Sequence, residues 1–189
     1  MENKTDLRVI KTKKAIYDAL ILLMKDKTFE QIKVSDICSK ALINRSTFYS
    51  HYNDKFELLV DFINQLKTNI LMVLEKNKNI LSPKEYYIEL IRILMDHIEK
   101  NKDVYYSIII NNKNSIMTDI LYEVTILDMK NKFKESDINN LKVPGDIILK
   151  FYLGGIVNII LDWLSTSSKY TKDEIISYID KLIVDIKAV

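Results

Sequence analysis

Glycine, proline and cysteine are scarce in this chain, at three, two and one among 189 residues. So few turn-forming residues leave little material for a β fold with its many tight reversals. The single cysteine, Cys38, excludes an intramolecular disulfide framework and fits a reducing compartment. Small and apolar, it is expected to be buried, with no redox or metal role. A long uninterrupted apolar run is also missing. The most apolar stretch, Ile147 to Leu164, is broken by Lys150, Asn158 and Asp162, which argues against a membrane span. The charged start is followed by no apolar segment of the kind a secretory signal needs. Histidine is nearly absent too. His51 and His97 lie far apart, and no acid pair or glycine-rich phosphate loop accompanies them. The expectation is a soluble cytoplasmic protein that is not an enzyme and carries no metal or cofactor.

What is abundant points to helices. Long stretches rich in Ile, Leu, Lys, Glu and Asn suit an all-α fold of about nine helices, with a small N-terminal head on a helical body. The first helix is expected over about Thr5 to Lys25, with Ile16, Ala19, Leu20 and Leu23 on one face and Lys11, Lys13 and Lys14 at its exposed start. A second runs from Val34 to Lys40 with Ile37, Cys38 and Ala41 turned inward. Asn44 stands as N-cap of a third. Asp54, with Glu57 as capping-box partner, opens a long fourth in which Phe56, Leu59, Ile63, Leu66, Ile70 and Val73 recur at helical spacing. Ser82-Pro83-Lys84-Glu85 begins the next, carrying Leu90, Ile91, Leu94 and Ile98. A short segment over Val104 to Ile110, a helix over Ser115 to Lys132, a polar loop over 134–143 and a helix over Gly145 to Leu164 follow. Thr171-Lys172-Asp173-Glu174 opens the last helix, with Ile175, Ile179, Leu182, Ile183 and Ile186 as its stripe.

The segment Val34 to Lys55, VSDICSKALINRSTFYSHYNDK, carries the most information. Two short helices joined by a tight turn, the second rich in hydrogen-bonding side chains, have the layout of a helix-turn-helix whose second helix enters a DNA groove. Residues 1–55 hold eleven Lys/Arg against seven Asp/Glu, and the rest hold seventeen against nineteen, so the modest basic excess sits at this end. Arg45 suits a guanine edge, while Ser46 and Thr47 suit either base type or a thymine methyl. Tyr49, His51 and Ser35 can donate to phosphates, as can Lys55 at a helix start. Phe48 is expected to face inward and lock the recognition helix. Tyr52 and Phe56 are expected to be core residues of the head.

Residues 8–58 resemble the DNA-binding region of TetR-family transcription regulators. Ile37-Cys38 looks like that family's Ile-Ala pair, Thr47-Phe48-Tyr49 matches its Thr-Phe-Tyr run, His51-Tyr52 stands for its aromatic pair, and Lys55 matches its lysine. Leu42 departs from the pattern, standing where the family usually has glycine. A leucine with positive φ would be strained, so an altered turn is expected.

The resemblance implies a DNA-binding domain over 1–55 and a dimerisation and effector-binding domain over 56–189. It further implies a homodimer reading a pseudo-palindrome on double-stranded DNA, and a repressor relieved by a small-molecule effector that changes the spacing of the two heads. Gly154 and Gly155, in mid-helix where glycine costs about 1 kcal/mol against alanine, suggest close approach of another helix. With Ile179 and Ile183 they are the expected dimer interface. Met95, His97, Tyr105, Tyr106, Phe151, Tyr152 and Trp163 are the candidate effector-pocket residues. An alternative is a TetR-like adaptor or coactivator that acts through a protein partner, with Leu42 as its support.

Overall fold

The structure, a computed structural model, describes residues 4–76, 83–112, 119, 123, 143–164 and 168–183. These contain eight α-helices and no strand. They are α1 (Lys4–Met24), α2 (Val34–Ala41), α3 (Arg45–Tyr49), α4 (Lys55–Lys76), α5 (Pro83–Lys100), α6 (Lys102–Asn112), α7 (Gly145–Leu164) and α8 (Lys172–Leu182), with a 3-10 turn at Phe29–Gln31. All but residues 119 and 123 of the helix expected over 115–132, the loop over 134–142, Ser82 and Ile186 lie outside the described residues.

The chain divides into two compact units. The first holds Met1–Gln65 and Tyr106–Leu121, so it reaches beyond residue 55 and takes in a later segment. In it α1 packs on α2, and α2 on α3. Ile16, Leu20, Met24, Phe29, Ile32, Ile37, Phe48, Leu58 and Leu59 form its core, each almost wholly removed from water. Each such side chain contributes about 1.5–3 kcal/mol through burial, which is what holds helices as short as α2 and α3 in place. Asn112 is the buried polar residue here. Its side-chain oxygen accepts from the Phe29 N–H at 2.7 Å, and its amide donates to Met24 O and Ile108 O at 3.3 and 2.8 Å. These bonds satisfy the carbonyl left open at the end of α1 and the first N–H of the 3-10 turn.

The second unit holds Leu66–Tyr105 and Tyr122–Val189, in which α8 packs on α5 and on α7. Thr171 caps α8 as its sequence predicts. Its hydroxyl accepts from Glu174 N at 3.3 Å, and the Glu174 carboxylate takes Thr171 N at 2.9 Å. Lys172 fixes that end of α8 to α5 through Asp96 and Glu99, both at 2.6 Å. Ile175, Ile176 and Ile179 are buried, whereas Leu182 is exposed and Ile183 already lies past the helix end. Val73 of α4 is likewise exposed, although helical spacing predicts it inward. Periodicity gives the direction of a stripe, but burial stops where the packing partner stops.

Two helix starts differ in detail from expectation. Asp54 does cap α4, accepting from Phe56 N and Glu57 N at 2.8 Å each. The Glu57 carboxylate, however, reaches past Asp54 to the Asn53 backbone and side chain, at 2.7 and 2.9 Å. Asn44 occupies the N-cap of α3 with extended backbone but makes no side-chain capping bond.

The turn between α2 and α3 keeps left-handed geometry even with leucine in it. Leu42 sits at φ 57, ψ 42, the one non-glycine residue of positive φ among the described residues. Leu42 N donates to Ser39 O at 3.3 Å, and Ile43 N donates to Cys38 O at 3.0 Å. This pair of bonds is the Schellman closure that glycine ordinarily makes at a helix end. The Leu42 side chain is 92% exposed, so no packing offsets its strain. Leu42→Gly is therefore expected to stabilise the fold by about 0.5–1 kcal/mol, the relief of left-handed strain less the extra chain entropy of glycine. A higher denaturant midpoint at unchanged slope checks this, and a lower midpoint would contradict it.

Candidate nucleic-acid interface

Local sequence decides which side of α3 is wet. Phe48 points inward and is fully buried, in contact with the rings of Tyr49 and Tyr52 at 5.5 and 5.8 Å. Around it Arg45, Ser46 and Tyr49 are exposed, Thr47 and His51 partly so, and Ser35 is half-buried in the first turn of α2. The geometry thus brings one inward anchor and a contiguous polar rim onto a short helix. Ser50 Oγ donates to Thr47 O at 2.8 Å and closes the last turn.

Asn44 belongs beside these residues. Read from the sequence as a cap, it is exposed and uncapped, directly before Arg45. An unengaged carboxamide next to a guanidinium is a pair suited to adenine and guanine edges. No local signal separates a capping Asn from a non-capping one.

Lys55 departs from its expected role. Its ammonium donates to three backbone carbonyls, Phe29 O, Glu30 O and Ile32 O, at 2.9, 2.9 and 2.8 Å. An ammonium has three protons, so none is left for a phosphate. The Nζ also lies 4.9 Å from the centre of the Phe29 ring and 5.6 Å from that of Phe56. Burial pulls its pKa below the ordinary lysine value, with the Glu30 charge opposing. Lys55 therefore ties the start of α4 to the 3-10 turn. Phe56, expected in the core, is 39% exposed and sets its ring edge-on to Phe29 at 5.4 Å.

A cluster that the sequence does not reveal holds the end of the α3 segment from behind. One Asp61 oxygen on α4 accepts from Tyr17 Oη at 2.6 Å, Tyr52 Oη at 2.7 Å and Lys13 Nζ at 2.9 Å. Lys13 also stands 5.4 Å over the Tyr52 ring. Tyr52 follows α3 by three residues, so this carboxylate joins α1, α4 and the segment just after α3 at one atom. Burial pushes the Asp61 carboxyl up, but the hydrogen bonds from Tyr17, Lys13 and Tyr52 and the Lys13 charge outweigh it and hold the pKa below the usual value. The same contacts act in reverse on Tyr17, pushed up to about 12 by burial and the Asp61 bond. Burial raises the Cys38 thiol as well, in keeping with an inert core thiol.

The candidate pocket residues are scattered in exposure, and Tyr106 falls in the first unit while the others fall in the second. Met95 and Trp163 are buried, with Lys102 Nζ 5.8 Å from the centre of the Trp163 ring. His97 Nε2 and Tyr105 Oη are hydrogen-bonded at 2.8 Å. Burial and then the Lys100 charge lower the His97 pKa, and burial raises Tyr105 to about 12. Tyr106 and Tyr152 are partly exposed, and Phe151 is 75% exposed. Of the expected interface residues, Ile179 is buried inside its own unit, while a Cβ on Gly154 or Gly155 would meet nothing within 4 Å.

Residues 85–185 match the family described as the transcriptional regulator C-terminal region of TetR type. The chain belongs to the TetR family of transcription regulators. A TetR regulator from Streptococcus agalactiae 2603V is 25% identical, with 94% of this chain and 96% of that one superposed at a TM-score of 0.64. FadR of Thermus thermophilus, a TetR-family repressor solved with lauroyl-CoA, is 16% identical over 90% of this chain and 92% of its own, at a TM-score of 0.52, and shares the fold. YxbF of Bacillus subtilis, an HTH-type transcriptional regulator, is 34% identical over 87 residues, which cover 44% of this chain and 23% of that protein. The chain thus spans under a quarter of the length of that curated relative.

The depressed Asp61 pKa carries a definite pH dependence. Its stabilisation is fully present above the unfolded-state carboxylate pKa and is lost as pH falls through the lower folded-state value. Asp61→Asn is expected to lie below the parent in denaturant midpoint at neutral pH, with the two curves converging in acid. A gap that stayed constant down the acid limb would remove this carboxylate from the account.

Proposed function

We propose that the chain is a sequence-specific DNA-binding regulator that acts as a homodimer on a pseudo-palindromic operator, with α3 as its recognition helix. The observation that carries this reading is the form of α3, a five-residue helix anchored by Phe48 and presenting Arg45, Ser46, Thr47 and Tyr49 outward. Arg45 and Asn44 read base edges, and Ser35, Tyr49 and His51 hold phosphates. Lys55 is left out of this set, because its protons are engaged within the chain. The adaptor alternative drew on Leu42. A turn that closes with ordinary Schellman bonds takes that support away.

The dimer reading rests on α7. Leu153, Ile160 and Leu164 form its buried side, while Ile147, Phe151, Gly155 and Asn158 lie on another stripe and are exposed. The open space at both glycines is what a partner helix needs for close approach. The second unit would then hold a small-molecule effector that binds one dimer arrangement more tightly than the other, for without that difference it shifts nothing. The lauroyl-CoA bound in the Thermus repressor supports a ligand of this kind, and a repressor that blocks its operator until the ligand binds is the role proposed. A regulator of this kind works in the cytoplasm, where its operator is.

Selection of duplexes from a random pool is expected to return a pseudo-palindrome. Arg45→Ala and Tyr49→Ala should each weaken its binding by about fivefold to a hundredfold, since a good base or phosphate contact is worth about 1–3 kcal/mol, and both should leave the oligomer unchanged. Full binding by both variants would reject this surface. Gly155→Leu is expected to keep its helix content, because the space beside it is open, and to sediment as a monomer where the parent is a dimer. A Gly155→Leu dimer as stable as the parent would place the interface elsewhere.

A further inference from the structure

Leu42 has no use within the fold. It is the most exposed large apolar side chain among the described residues, 92% open to water, and the one non-glycine residue there with positive φ. The turn closes through backbone bonds alone, from Leu42 N to Ser39 O and from Ile43 N to Cys38 O, so glycine would close it with less strain. Leucine is unfavourable here on two counts, since it carries the strain of the left-handed region and holds an isobutyl group in water. Strain kept without any packing to offset it points to a use outside the fold.

Its place in the chain says where that use lies. Leu42 stands two residues before Asn44 and three before Arg45, so the Cα atoms of Leu42 and Asn44 are no more than about 7 Å apart. Asn44, Arg45 and Ser46 are exposed after it and Ser39 and Lys40 before it, while Ile43 is half-buried. Leu42 is therefore the apolar member of a polar stretch that runs from the end of α2 into the first turn of α3. A recognition helix enters the groove with its N-terminal residues foremost, and Leu42 sits at that end. The apolar group that base edges present in the major groove is the thymine methyl.

We infer that Leu42 is a specificity-determining residue, packing its side chain on a thymine methyl beside the bases read by Asn44 and Arg45. This rests on the DNA-binding reading of α3. The contact forms only on DNA, so the leucine lowers the stability of the free protein and raises its affinity for one sequence.

The test uses the full chain and its selected duplex, with each thymine replaced in turn by deoxyuridine, which removes the methyl and keeps the base pair. At one thymine of each half-site the replacement is expected to weaken binding by the parent about fourfold per half-site, the worth of one buried carbon group. Leu42→Gly should bind the unmodified duplex more weakly by at least that factor and lose its response to uridine at that thymine. Leu42→Met should keep both the affinity and the response. Because Leu42→Gly is also expected to be the more stable protein, its weaker binding is not a loss of fold. If Leu42→Gly binds every duplex as the parent does, the contact is overturned, α3 keeps its role and the leucine is left to a protein partner. A weaker Leu42→Gly that still responds to uridine at the same thymines as the parent would also overturn it, since the affinity was then lost by moving α3. A parent that binds its duplex and responds to uridine at no thymine would do the same. Absence of duplex binding by the parent would remove the reading of α3 together with the contact.

Discussion

The geometry of the head turns on one oxygen atom of Asp61. Lys13 and Tyr17 come to it from α1, Tyr52 from just past α3, and Asp61 itself from α4. A helix of five residues cannot hold itself in water, because nucleation costs more than one turn returns. Its position must come from tertiary contacts. Phe48 supplies the apolar half of these and Tyr52 the polar half. A partly buried carboxylate with three donors is charge-assisted at each bond, so the joint resists bending in three directions at once.

Lys55 does for the opposite end of the motif what Asp61 does for this one. The 3-10 turn leaves carbonyls pointing the same way without helical partners, and one ammonium collects three of them. Asn112 completes the set by taking the Phe29 N–H and the Met24 carbonyl. The turn between α1 and α2 is therefore held on both faces by side chains distant in sequence. Its backbone groups are satisfied without any regular secondary structure.

Local rules carried the helix-turn-helix far. The inward place of Phe48, the burial of Ile37 and Cys38, and the polar rim at Arg45 to Tyr49 follow from a handful of contiguous residues, and the structure agrees with each. The same rules misplace Phe56, Val73 and Leu182. Helical spacing puts them on an apolar stripe, yet each is exposed. Lys55 shows the other limit. A lysine at a helix start reads as a phosphate ligand until the carbonyls, twenty-three to twenty-six residues away, come into view. Leu42 shows that a sequence departure need not be a structural one, since the closing hydrogen bonds depend on backbone and tolerate a strained leucine.

The sequence by itself determined the helical class, the helix starts at Asp54 and Thr171, and the wet and dry sides of α3. All of these depend on residues within one or two turns of each other, where capping and periodicity act. Tertiary structure alone decided that Asp61 gathers Lys13, Tyr17 and Tyr52, that Lys55 and Asn112 serve the backbone, and that the flank of α7 at Gly154 and Gly155 is open among the described residues. Those outcomes join residues as much as 88 positions apart, and whether a polar group meets a carbonyl, a carboxylate or water is fixed only when the folded chain brings its partner within reach.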